Sequence, residues 1–121
     1  MTVKPDPDSQ VTLDDKVFDK LRQDMGDDAS MVIESFVESI DGFLNDIKNR
    51  TEQTPHQDLH RWAHTIKSSA ESIGAMRLAH LAAQMEASYS KRGKIDLGRQ
   101  LRSMQQEYHR VNASLIEKID D

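Results

Sequence analysis

The stretch His64-Thr65-Ile66-Lys67-Ser68-Ser69-Ala70-Glu71-Ser72-Ile73-Gly74-Ala75-Met76-Arg77-Leu78 decides how this chain is read. A helix turns about 100° per residue. With His64 set at zero, Leu59, Trp62, Ile66, Ser69, Ala70 and Ile73 all fall about 120° or more away on either side. Those positions form the inner face, so His64 points outward. Lys67 and Ser68 sit within about 60° of it. Packing does not explain an exposed imidazole with a cation one turn on. A nucleophilic nitrogen that briefly carries an anion does.

The rest of the chain follows the same helical period. A short first helix is expected over 12–25, with Leu13, Val17, Phe18, Leu21 and Met25 on one face and Gly26 closing it. Asp27 or Asp28 is placed to cap a second helix over 28–50. That helix carries Val32, Ile33, Phe36, Val37, Ile40, Phe43, Leu44 and Ile47 at sustained 3-4 spacing. Thr54 as N-cap and Pro55 as first helical residue start a third helix, which runs to a left-handed Gly74. A fourth helix over 76–91 is expected to bury Leu78, Leu81, Ala82, Met85 and Tyr89 and to stop at Gly93. A fifth over 95–118 places Leu97, Leu101, Met104, Tyr108, Val111 and Leu115 on one seam. Gly42, inside the second helix, marks either a close helix approach or a tolerated penalty of about 1 kcal/mol. Short connections make consecutive long helices antiparallel. The expected fold is all-α: an up-down antiparallel four-helix bundle with a short N-terminal helix across one end. The bundle domain spans 11–121. Residues 1–10, with two prolines and little apolar content, form a disordered arm.

Composition narrows the function. One hundred and twenty-one residues fit one core. No run is apolar enough to span a membrane or serve as a signal peptide. Without cysteine there is no disulfide, thiolate metal site or thiol nucleophile. The net charge of −5 argues against nonspecific nucleic-acid binding. The charge is uneven. Residues 1–60 hold six Lys/Arg against fourteen Asp/Glu, and residues 61–121 hold ten against seven. The half with His64 is therefore the positive one and suits an acidic or phosphorylated partner.

Three other chemistries compete for these residues. His56, His60 and His64 stand at i, i+4 and i+8, but along a straight helix they span about 12 Å and cannot share one ion. No HExxH is present. A hydrolase pairing Ser68 or Ser69 with His64 lacks a strand-to-helix elbow, an oxyanion hole and an orienting acid. No phosphate-binding glycine loop is present for ATP. Phosphoryl carriage needs fewer parts. Imidazole is a competent nucleophile near neutral pH, and phosphoryl transfer asks mainly for positioning and charge neutralisation. Lys67 can neutralise the phosphoryl oxygens, and a small residue at Ser68 keeps the approach open. A carboxylate on the next helix can hold the other ring nitrogen as N–H. Glu86 is the candidate.

At these residues the chain resembles the histidine-containing phosphotransfer (HPt) domains. The motif reads His64-x-Ile66-Lys67-Ser68-Ser69-x-x-x-Ile73-Gly74-Ala75, followed by Leu78, Leu81, Met85 and Glu86. The resemblance covers about residues 57–92 by motif and the whole bundle by helix order. The stretch LRQDMGDDASMVIESFVESI also resembles the start of such domains. The resemblance implies that His64 is the phosphorylated residue and that Lys67 is its neighbouring lysine. It implies that Glu86 orients the ring. Ser68 departs from the glycine common at its position, which implies slower or more selective transfer. It further implies a cytoplasmic, monomeric carrier between the receiver domain of a hybrid sensor kinase and that of a response regulator. This chain would bind no cofactor, and Mg²⁺ would sit on the receiver. A free-standing chain would shuttle between proteins, and an excised one would be the tail of a hybrid kinase. The rivals are an adaptor that kept the fold and lost the chemistry, and a metal binder using His56, His60 and His64.

Overall fold

The computed structural model describes residues 11–90 and 96–119. They form five α-helices, α1 (Asp15–Met25), α2 (Ala29–Lys48), α3 (His56–Ile73), α4 (Met76–Ser90) and α5 (Leu97–Ile119), with a 3₁₀ turn at Gly26–Asp28. Among the described residues there is no strand. The chain forms the expected all-α, up-down four-helix bundle, α2 to α5, with α1 at one end. The arm expected over 1–10 and the stop at Gly93 lie outside the described residues, as does the side chain of Tyr89.

The core comes from one stripe per helix. Ile33, Ile40, Leu44 and Ile47 of α2 meet Leu59, Ala63, Ile66, Ala70 and Ile73 of α3. Leu78, Ala79, Ala82 and Met85 of α4 and Leu101, Met104, Val111 and Leu115 of α5 complete it. Four of these residues, Ala63, Ala70, Ala79 and Ala82, are alanines on α3 and α4. Small side chains let two helix backbones approach closely, and among the described residues these two helices share the most extensive contact. Trp62, expected on the inner face, is only partly buried against the core, and Ala63 is fully buried in its place. Met25 is exposed although its spacing put it on the inner face, because it lies in the last turn of α1, beyond the bundle contact.

Helix ends show where local rules were overruled. Asp14 caps α1, its Oδ1 accepting from the N–H of Lys16 at 2.9 Å and of Val17 at 3.4 Å. The helix therefore starts later than expected. Asp28 precedes α2 but makes no capping bond. Its backbone is already helical (φ −85, ψ −4) because the 3₁₀ turn carries the chain into α2 without the extended residue a side-chain cap needs. At α3 the extended cap residue is Pro55 itself (φ −62, ψ 141). Its carbonyl accepts from the N–H of Asp58 at 3.0 Å. Thr54 Oγ1 accepts instead from the Thr51 N–H at 3.0 Å, inside the preceding turn. Gly42 faces open space, so it marks no helix approach.

Gly74 holds the bottom of the bundle together. Its φ of +86 is left-handed, as expected for a helix stop. A Cβ there would lie 2.9 Å from the Asp14 carbonyl oxygen and 3.2 Å from Val17 Cβ. The approach is close because Asp14 N–H donates to the Gly74 carbonyl at 2.7 Å and Arg77 N–H donates to the Val11 carbonyl at 2.9 Å. These bonds stitch residues 11–14 onto the α3–α4 turn and lay α1 across it, with Phe18 fully buried as its anchor. Gly74→Ala is expected to lower unfolding stability by about 2–3 kcal/mol, from left-handed strain plus overlap with the Asp14 backbone. Urea denaturation followed by circular dichroism measures it. An unchanged midpoint would mean that the α1 docking is not coupled to this turn.

Glu107 is the unexpected core residue. It is fully buried on the α5 seam. Its Oε1 lies 3.5 Å from Arg77 Nε on α4 and 3.1 Å from Arg110 NH1 on its own helix. Arg77, one of the ten Lys/Arg of the positive half, is therefore engaged inside the protein.

Candidate functional site

The close packing of α3 on α4 creates the site. The outward face of α3 carries His60, His64, Lys67 and Ser68, and α4 presents Glu86 beside them. The His64 side chain is 56% exposed, and Glu86 is 19% exposed. His64 Nδ1 lies 3.1 Å from Glu86 Oε1 and 3.2 Å from Oε2. A carboxylate only accepts hydrogen bonds, so Nδ1 is the protonated ring nitrogen. In the neutral ring the lone pair then belongs to Nε2, on the other side of the imidazole.

Lys67 follows one turn after His64. Its Nζ comes within 4.0 Å of Glu86 Oε2, and its side chain is 32% exposed. The lysine thus stays beside the imidazole. At this distance from a partly exposed carboxylate it forms a weak pair, free to exchange for a stronger anion. Ser68 is exposed next to His64, and its carbonyl accepts from Ser72 Oγ at 2.9 Å. Ser69, the other serine of the hydrolase reading, is buried.

Spacing along α3 alone assigns His60 no partner on another helix. Its Nε2 lies 3.7 Å from Glu86 Oε1, so it belongs to the same cluster. The i, i+4 spacing to His64 was the available signal, but spacing does not tell what the pair faces. Among the described residues no group of three or more His, Cys, Asp or Glu is arranged to hold a metal ion. His56 is exposed on the first turn of α3.

Part of the basic excess of the second half is matched by acids. Arg61 pairs with Asp58 at 3.4 Å, and Lys118 with Asp15 at 2.7 Å. Arg77 and Arg110 meet Glu107. Lys91, Arg92 and Lys94 lie outside the described residues. Among the described residues, Lys67 is the Lys or Arg that pairs with the carboxylate of the site.

A family model for the Hpt domain matches residues 31–114, which include His64, Lys67, Ser68 and Glu86. This chain belongs to the Hpt domain family. Among solved structures, the histidine-containing phosphotransfer protein B (HptB) of Pseudomonas aeruginosa PAO1 superimposes with a TM-score of 0.81 at 24% sequence identity. The match covers 91% of this chain and 96% of that one, and at this identity it shows a shared fold. No curated protein matches the chain by sequence. As an Hpt protein the chain is a histidine phosphotransfer protein of a phosphorelay, a family that passes phosphoryl groups to receiver domains. No helix among the described residues is long and apolar enough to cross a membrane.

Proposed function

We propose that His64 is the phosphoryl acceptor and donor of this Hpt domain, and that it works between two receiver-domain aspartates. The observation that carries the assignment is the hydrogen bond of Nδ1 to Glu86 on a ring that is otherwise 56% exposed. That bond leaves Nε2 as the nucleophile. Its lone pair attacks the phosphorus of an aspartyl phosphate in line. The P–N bond forms as the P–O bond to the aspartate breaks, and the carboxylate leaves with the electron pair. The imidazole then carries positive charge with the Nδ1 proton in place, and Glu86 offsets that charge. Passing the group to a second aspartate runs the same steps backwards.

Lys67 is the cation nearest the phosphoryl oxygens in this scheme, and it leaves Glu86 to meet them. Ser68 is small enough to leave the approach open. The chain itself needs no cofactor. The Mg²⁺ that phosphoryl transfer calls for sits on the receiver. The carrier works as a cytoplasmic monomer between the receiver of a hybrid sensor kinase and that of a response regulator. A receiver-binding adaptor without transfer would gain nothing from a carboxylate fixing the ring tautomer.

The test is incubation with a panel of phosphorylated receivers from hybrid kinases. Acid-labile, alkali-stable phosphate should appear on the chain and map to His64. Label on another residue would overturn the assignment. Lys67→Ala should slow transfer about tenfold without abolishing it, the loss of one charge contact in the transition state. A single-turnover rate equal to wild type would remove Lys67 from the scheme.

A further inference from the structure

Glu86 holds the His64 ring from the α4 side. Its Oε1 meets both His64 Nδ1 and His60 Nε2, so the ring leans back over the turn of α3 that carries residues 60 and 61. Helix side chains lean towards the N-terminus, which is the direction taken here. On the helix wheel Lys67 and Arg61 stand about 60° to either side of His64, one turn after it and one turn before it. Lys67 reaches Glu86, so its flank is the α4 side. Arg61 stands on the opposite flank. With Nδ1 turned towards Glu86, Nε2 faces away from α4, on the side where Arg61 stands.

Arg61 is held loosely. Its side chain is 67% exposed, and its NH2 donates to Asp58 Oδ1 at 3.4 Å within the same helix. A strong guanidinium–carboxylate bond is about 2.7–2.9 Å long, and an exposed pair of this kind contributes little to stability. Residues three apart on a helix are neighbours, with Cβ atoms about 5–6 Å apart. The guanidinium that reaches back to Asp58 therefore also reaches forward to the space beside Nε2. A phosphoryl group placed there brings three acceptor oxygens and about two negative charges. A planar guanidinium meets such a group with two parallel bonds, a better match than one long contact to a carboxylate.

We propose that Arg61 is a second phosphoryl-binding residue. It leaves Asp58 when His64 is phosphorylated and holds the phosphoryl oxygens from the flank opposite Lys67. This rests on the assignment of His64 as the acceptor. Arg61 lies before the motif that opens at His64. Asp58 acts as a competitor: it occupies Arg61 in the resting protein and lowers the net gain when the phosphoryl group arrives. The contact stabilises phosphorylated His64 relative to the aspartyl phosphate of a receiver.

The test is the equilibrium reached by a fixed pool of phosphoryl groups shared between one receiver and this chain, both below the concentration at which they form a complex. The ratio of phosphorylated His64 to aspartyl phosphate then depends on the stability of the phosphorylated chains and not on docking. Arg61→Ala should lower that ratio about two- to fivefold, the range for an exposed ion pair. Arg61→Lys should recover part of the loss, as a charge without the fork. Asp58→Asn should raise the ratio, because it frees Arg61. An unchanged ratio for Arg61→Ala would overturn the proposal. A slower approach to the same ratio would make Arg61 a contact of the receiver and overturn it too, as would a fall with Asp58→Asn. A second measurement needs no receiver. Phosphoramidate phosphorylates histidine directly, and the Arg61 Nε–H proton resonance should move downfield in the treated wild type but not in treated His64→Gln. A resonance that stays in place when His64 is phosphorylated would overturn the proposal. If it moves while no receiver labels His64, the contact stands and the acceptor assignment fails.

Discussion

His64→Gln should leave no phosphate on the chain after exposure to a phosphorylated receiver, while its helical circular-dichroism signal stays that of wild type. Both halves of this expectation come from the same geometry. The ring is 56% exposed, so it contributes little to the core, and its replacement removes one partly exposed hydrogen bond to Glu86. Such a bond contributes about 1 kcal/mol or less to stability. The chemical effect is of another order. A glutamine amide offers no basic nitrogen, so the covalent route is lost rather than weakened. Label on the variant would place the acceptor elsewhere, and His60 would be the first residue to examine. An unfolded variant would mean that the imidazole is structural and that the outward face of α3 has been misassigned.

Glu107→Ala should lower unfolding stability by about 3–5 kcal/mol, a large share of the 5–15 kcal/mol that holds a domain of this size folded. Glu107 is fully buried and meets Arg77, itself only 29% exposed, and Arg110. Truncation to alanine opens a cavity on the α5 seam and leaves the Arg77 guanidinium without its carboxylate in a poorly solvated place. Desolvating the pair has its own penalty, so the cost of breaking it exceeds its net contribution. Replacing both members together, Glu107→Leu with Arg77→Met, should therefore recover most of the loss. Urea denaturation of the single and double variants measures this. A single-variant loss under about 1 kcal/mol would show that water reaches the site and that the pair is only a surface contact.

The two predictions differ in how far the sequence led to them. His64 and Lys67 were legible because they are local. Their position opposite Leu59, Ile66 and Ile73 follows from the turn of one helix, whatever it packs against. Gly74 was legible for the same reason, since a left-handed residue ends a helix by backbone geometry alone. Its second duty, admitting the Asp14 carbonyl, was not, because that contact joins segments sixty residues apart. Glu107 carries two opposed signals in the sequence. It lies three residues after Met104 and four before Val111, on the buried stripe of α5, yet its charge argued for solvent. Only the arrival of Arg77 from α4 makes its burial tolerable.

His60 and Trp62 mark the same boundary from the other side. Spacing set His60 and His64 on one face but left open whether that face met water, a metal ion or a carboxylate. It set Trp62 inward by angle, but the stripe that α3 buries is centred closer to Ala63, where a small side chain lets α4 approach.

By itself the sequence determined the helices, their order, the outward histidine with its lysine and the family to which the pattern points. Helical period, capping and residue chemistry are short-range and act before any packing. The tertiary structure alone decided that Glu86 stands 3.1 Å from His64, that His60 shares the same oxygen, and that Glu107 is inside. Those are distances between helices, set by how closely side-chain volumes let two backbones come together, and no periodicity within one helix encodes them.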